Sequence, residues 1–145
     1  MKLLVAVDFS EVTPRLMDAV RAQVAGRDAQ VWLLHTVEPD PDFVGYDAGP
    51  DVVRDQVAQE MRDERHQLET LVKQLRESGI KAQARVVRAP TVETILTQAD
   101  EHDVDLILMG THGRGLVYQM IVGSTSEGVL RQTTRPVLLV PANLD

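Results

Sequence analysis

The sequence predicts an α/β fold in which one parallel sheet is covered by helices on both faces. Two observations carry that expectation. Five short, strand-like apolar runs alternate with four helix-like patterns along the chain, which is the order that builds βαβ units and buries both sides of a parallel sheet. At 145 residues the chain fits a single domain, residues 1–145, that removes roughly two thirds of its unfolded surface from water.

The elements follow in order. Residues 2–7 read as the first strand, and residues 11–25 as a helix with Ser10 as its N-cap, Pro14 in the first turn and Gly26 near its end. The second strand is expected over residues 30–37. A long helix over residues 51–78 then carries Val57, Met61, Leu68, Leu71, Val72 and Leu75 at helical spacing, with Gly79 placed to stop it. Strands over residues 81–87 and 105–110 flank a helix over residues 91–101. The last helix is expected over residues 124–132, Pro136 prevents its continuation, and Val137 to Val140 form the fifth strand. No repeat or low-complexity tract interrupts the pattern. One connection is out of proportion: residues 38–50 (EPDPDFVGYDAGP) hold three prolines, two glycines and four acids. Such a loop is either the rim of a site or an insertion, and the C-terminal strand edge from which it leaves favours a rim.

Composition narrows the function. Fifteen basic and 22 acidic residues give a net charge of −7, which speaks against nonspecific binding to nucleic acid or to anionic membranes. The absence of cysteine excludes disulfides, thiolate metal sites and cysteine nucleophiles. The apolar run over residues 3–7 is too short for a signal sequence or a membrane span, so the expected location is cytoplasmic.

The most informative segment is GTHGRGLVYQMIVGSTSE, directly behind the apolar run over residues 104–109. Its spacing is G-x-x-G-x9-G-S. Gly110 and Gly113 permit close approach of a ligand to the backbone, while Gly123 and Ser124 precede a helix whose first amides and dipole favour an anion. The spacing is neither Walker A nor the dinucleotide fingerprint. A ligand-free alternative stands beside this reading: a plain turn, with Ser124 and Glu127 forming a Ser-x-x-Glu capping box.

His35, His66, His102 and His112 have no metal-ligand spacing, and His112, inside the glycine loop, is the one that merits a test. No nucleophile elbow, Ser/His/Asp order or close carboxylate pair stands out. Asp40, Asp42 and Asp47 read as solvated, with a divalent ion beside bound phosphates as their alternative role.

AVDFSE after the first strand, LLHTVE at the second, GTHGRG at the fourth and the closing RPVLLVP together resemble the universal stress protein family, in the branch that carries the nucleotide-binding glycine motif. The resemblance spans essentially the whole chain. It implies a Rossmann-like, adenine nucleotide alpha hydrolase-like fold, with a five-stranded parallel sheet in order 3-2-1-4-5, two helices on each face, and dimerisation.

The resemblance also implies a nucleotide site. Asp8 would accept hydrogen bonds from a ribose or amino group, unless it serves an Asx turn with Ser10. Ala6 and Val7 would present backbone polar groups and apolar surface toward adenine, and Thr36 and Val37 would complete that slot, with ordinary strand packing as the alternative for both side chains. Gly110 and Gly113 match the approach to ribose and phosphates, and Gly123, Ser124 and Thr125 match the phosphate cradle, to which Ser126 would add a hydroxyl. Arg114 either lends charge to the phosphates or is solvated. Arg88 stands where the family often has glycine, and either reaches a phosphate or crowds the pocket.

The function expected on these grounds is a regulatory module that binds ATP, ADP or AMP, with Mg2+ as an optional companion. Hydrolysis is at most weak, because no lysine, catalytic base or arginine finger is evident in the sequence. Expected partners are a second copy, paired through Val137 to Val140, and a regulated protein. The alternatives are a dimeric interaction protein with an unoccupied site, and an adenylate-forming enzyme of the same fold class, which would need an SGG-type loop that the sequence lacks.

Overall fold

The computed structural model describes residues 1–38, 50–111 and 122–142, with the backbone alone described for residues 50–53. Five parallel strands form one sheet in the order β3-β2-β1-β4-β5, built from β1 (Lys2–Ala6), β2 (Gln30–Thr36), β3 (Lys81–Val87), β4 (Leu106–Gly110) and β5 (Val137–Val140). The order expected from the resemblance is the order observed. Four helices connect the strands: α1 (Thr13–Val24), α2 (Pro50–Glu77), α3 (Thr91–Glu101) and α4 (Ser124–Gln132).

The alternation of side chains along a strand divides the core into two layers. Leu3 and Val5 of β1, with Val31 and Leu33 of β2, meet Leu16, Met17 and Val20 of α1 and Leu68, Val72 and Leu75 of α2. Their neighbours Leu4, Trp32 and Leu34 point the other way and meet Ile95 and Ala99 of α3 and Val129 of α4. Two helices therefore cover each face. β1 is central, pairing with β2 from Lys2↔Gln30 to Ala6↔Leu34 and with β4 from Leu3↔Leu106 to Val5↔Leu108.

Predicted and observed elements differ mainly at helix starts. Ser10 does not cap α1: the N-cap is Val12, without a side-chain cap, and the Ser10 N–H donates to Asp8 Oδ1 at 2.9 Å. That Asx turn delays the helix to Thr13. Pro14 lacks an N–H and so reduces the number of donors a cap must satisfy. Gly79 ends α2 as expected, at φ 82°. Its N–H donates to Arg76 O, and Ile80 N–H donates to Leu75 O, the paired bonds of a Schellman motif that a left-handed glycine makes at no steric cost.

The two outer strands differ in character. β3 leaves Lys81, Gln83 and Arg85 exposed, charges and polarity of the kind that keep a sheet edge from pairing with another chain. β5 is VLLV, half-buried until Val140. At α4, which leads into β5, Leu130 is 44% exposed, the one large apolar side chain so exposed among the described residues.

Candidate functional site

The strand order reverses between β1 and β4, and in open α/β sheets ligands bind outside the C-terminal strand ends at such a switch. A cavity of about 580 Å³ opens there, within the range of small-molecule sites. Its wall brings together Ala6 at the end of β1, Val7 and Asp8 behind it, Thr36 at the end of β2, Gly110 at the end of β4, and Gly123, Ser124, Thr125 and Ser126 at the start of α4. Nine residues singled out from the sequence thus meet at one place. Val37 stands beside this wall, its N–H donated to Val87 O at 2.9 Å. Gly113, Arg114, His112 and the acids at 40, 42 and 47 lie outside the described residues. Arg88 is exposed and not part of the wall.

The α4 end of the cavity is a donor surface. Gly123 is the N-cap and no side chain caps the helix. The expected Ser124–Glu127 capping box does not form: Ser124 is already the first helical residue, and the Glu127 carboxylate turns along the helix to Arg131, at 2.6 Å from its Nη2. Gly123 N–H donates to Thr111 O at 2.6 Å and Glu127 N–H to Gly123 O at 2.9 Å. Between them, the amides of Ser124, Thr125 and Ser126 are the orphan donors of the first turn, where the helix dipole favours an anion. Ser126 is 3% exposed, and its hydroxyl donates to Gly110 O at 2.7 Å. That bond locks the start of α4 against the end of β4, so the two halves of the glycine motif are held in register.

The opposite end of the cavity carries acceptors. Asp8, Glu38 and Glu64 line it. Asp8 gives Oδ1 to the Asx turn and keeps Oδ2. Glu38 accepts from Thr91 N–H at 3.1 Å, at the start of α3, and the Thr36 and Thr91 hydroxyls share a hydrogen bond at 2.7 Å. The Val7 N–H is donated to Leu34 O at 2.8 Å and its carbonyl accepts from His35 Nδ1 at 2.7 Å. Val7 therefore offers a ligand mainly van der Waals surface and not the backbone polar groups expected of it, because both are already paired. Between donor and acceptor ends, Leu34, Ile95 and Met109 supply an apolar stretch.

Several wall residues went unrecognised in the sequence, above all His35 and Glu64. The signal was there. The apolar stripe of α2 steps through Val57, Met61, Leu68, Val72 and Leu75, and Glu64 occupies the core-facing position between Met61 and Leu68. His35 likewise interrupts the buried run Val31, Trp32, Leu33, Leu34 of β2. Each is a polar residue where the periodicity asks for an apolar one, and the two meet: His35 Nε2 lies 3.1 Å from Glu64 Oε2.

Comparison with known proteins agrees with this architecture. The sequence profile described as the universal stress protein family matches residues 1–141. Universal stress protein A homolog 2 of Coxiella burnetii is 33% identical, over 96% of this chain and 93% of its own. The structure of MJ0577, a universal stress protein of Methanocaldococcus jannaschii, superposes with a TM-score of 0.89 at 26% identity, over 99% of this chain and 97% of its own. At 21% identity, the Archaeoglobus fulgidus universal stress protein in complex with dAMP shares the fold with a TM-score of 0.64, over 96% of both chains. The chain belongs to the universal stress protein family.

Proposed function

We propose that this chain binds an adenine nucleotide, ATP with ADP and AMP as its shorter forms, and works as a regulatory module rather than as an enzyme of high turnover. The observation that carries the reading is the polarity of the cavity. The carboxylates of Asp8 and Glu38, which follow β1 and β2, stand at one end, where sugar hydroxyls and a base amino group need acceptors, and three helix N-terminal amides stand at the other, where phosphates need donors. The dAMP complex of the Archaeoglobus fulgidus relative supports the same ligand class. Gly113 and Arg114 would complete the phosphate end from the glycine loop. Mg2+ would enter with the polyphosphate, whose oxygens are ligands it commonly takes.

Slow hydrolysis is part of the proposal: the sequence offers no evident lysine, catalytic base or arginine finger to stabilise charge on a transferring phosphoryl group. Assembly through β5 is part of the proposal, because its apolar edge and the exposed Leu130 contrast with the charged edge of β3. No helix among the described residues is long and apolar enough to cross a membrane, and a cytoplasmic location with a regulated protein partner suits a nucleotide sensor.

The test has two parts. Denaturing the purified protein and identifying the released small molecules by mass spectrometry should yield an adenine nucleotide. Calorimetry on stripped protein should show affinity rising from adenosine through AMP to ATP. Failure to bind any of these would overturn the reading.

A further inference from the structure

We infer that His35 and Glu64 form a positioning relay which holds the β1–α1 loop, and with it Asp8, in the geometry that receives the nucleoside; the ligand named rests on the function proposed above. The relay starts on α2. Glu64, with a side chain 19% exposed, places Oε2 3.1 Å from His35 Nε2, and the His35 side chain is 10% exposed. The two atoms stand within hydrogen-bond distance, although Oε2 has no aligned partner among the described residues, so a small turn of either side chain brings them into line. The other ring nitrogen settles the tautomer. His35 Nδ1 lies 2.7 Å from the Val7 carbonyl, which only accepts, so Nδ1 carries a hydrogen. With Nδ1 protonated, Nε2 and Oε2 attract each other when one further proton resides on either atom.

From His35 the relay passes to the loop by two routes. The Nδ1–H holds Val7 O, one residue before Asp8. The ring also packs on Phe9, one residue after it, at 4.7 Å between centroids and 42° between planes. Phe9 has φ 59°, a left-handed conformation that a bulky side chain keeps only when its surroundings hold it there. The Asx turn, Ser10 N–H to Asp8 Oδ1, completes the arrangement and leaves Asp8 Oδ2 for the cavity. His35 therefore grips the loop on both sides of Asp8, and Glu64 fixes the ring that grips.

This is a positioning role for both residues, and it is separable from a merely structural one. Glu64→Leu keeps the side chain's bulk and the helix while removing the polar partner that orients the ring. Glu64→Gln restores a polar partner, whose amide donates to a neutral Nε2. His35→Phe keeps the ring against Phe9 and loses both nitrogens. Two readouts are taken on each variant: Kd for ATP by calorimetry, and hydrogen exchange of the Ser10 amide in ligand-free protein, which reports the Asx turn directly. Glu64→Leu should raise both Kd and exchange rate about fivefold, the worth of one net hydrogen bond. Glu64→Gln should recover most of that loss. Because the two residues act in series, the double variant His35→Phe, Glu64→Leu should lose no more than His35→Phe alone.

Wild-type values in Glu64→Leu, no recovery in Glu64→Gln, or additive losses in the double variant would each overturn the relay. Should His35→Phe fail to fold, the two Glu64 variants decide alone. Should wild-type protein bind no ATP, the proposed function fails while Ser10 exchange still passes judgement on the relay.

Discussion

Replacing Gly128 with alanine sets two known effects against each other, and the structure determines which prevails. Gly128 lies within α4 (Ser124–Gln132), where alanine is favoured over glycine by about 1 kcal/mol in helix propensity. A Cβ built on Gly128 would stand 2.9 Å from Val92 Cγ2 and 3.3 Å from Cγ1. Val92 belongs to α3 and packs against the second core layer. A helical valine holds essentially one χ1 rotamer, so the contact is relieved by moving α4 away from α3 rather than by turning a side chain. Overpacking of this kind costs about 1–3 kcal/mol. The net expectation is a destabilisation of about 1 kcal/mol, or about 3 °C in Tm for a domain of this size. Urea unfolding followed by circular dichroism measures it. Adding Val92→Ala to Gly128→Ala should bring stability back towards wild type, since the clash then has no second partner. A Gly128→Ala protein more stable than wild type would show that α3 and α4 separate freely, and would refute the reasoning.

Four further outcomes are expected. Gly123→Val should abolish ATP binding with little loss of fold, because it puts a branched side chain beside the orphan amides of α4; undiminished calorimetric affinity would remove the motif from the site. Arg135→Met should cost about 1–2 kcal/mol in urea unfolding, almost all of it from the 2.6 Å bond to Val104 O, since its partners Asp100 and Asp103 are 78% and 84% exposed and screened by water. Single-turnover assays with radiolabelled ATP should give rates far below the ~1–100 s⁻¹ of kinases, and a rate within that range would require an enzyme. Leu139→Lys and Val140→Pro should each weaken self-association in light scattering across a dilution series; a wild-type chain that stays monomeric at high concentration defeats the β5 interface.

Much of the fold was legible because pattern and punctuation agreed. β3, β5, α3 and α4 begin and end where the sequence places them. Gly79 stops α2 for a backbone reason that no tertiary contact overrides. The start of α1 was not legible, because Ser10 had two local uses and the Asx turn took its N–H. Ser124 and Glu127 have the spacing of a capping box, yet Gly123 takes the N-cap position and Arg131 takes the glutamate. Motif spacing picked out Gly123 to Ser126, which meet at the cavity, since they are contiguous. The pairing of His35 with Glu64 joins a strand to a helix across a gap that no local rule spans, and only the misfit of each residue in its own apolar pattern pointed to it.

The central place of β1 has a consequence for how the protein is made. Its partner β2 follows closely along the chain, but the other edge waits for β4, whose first partner to Leu3 is Leu106; the backbone of Lys2 and the Asp105 carboxylate that meet there are 103 residues apart. At ribosomal rates of about 5–20 residues per second, that interval is on the order of ten seconds. Throughout it, the apolar run of Leu3, Leu4 and Val5, all fully buried in the finished protein, is an open edge on the nascent chain. The last third of the sequence, which brings Gly110 and the start of α4 to the cavity, is also what closes that edge, so a chain cut short before β4 loses that wall of the cavity and its protection from aggregation together.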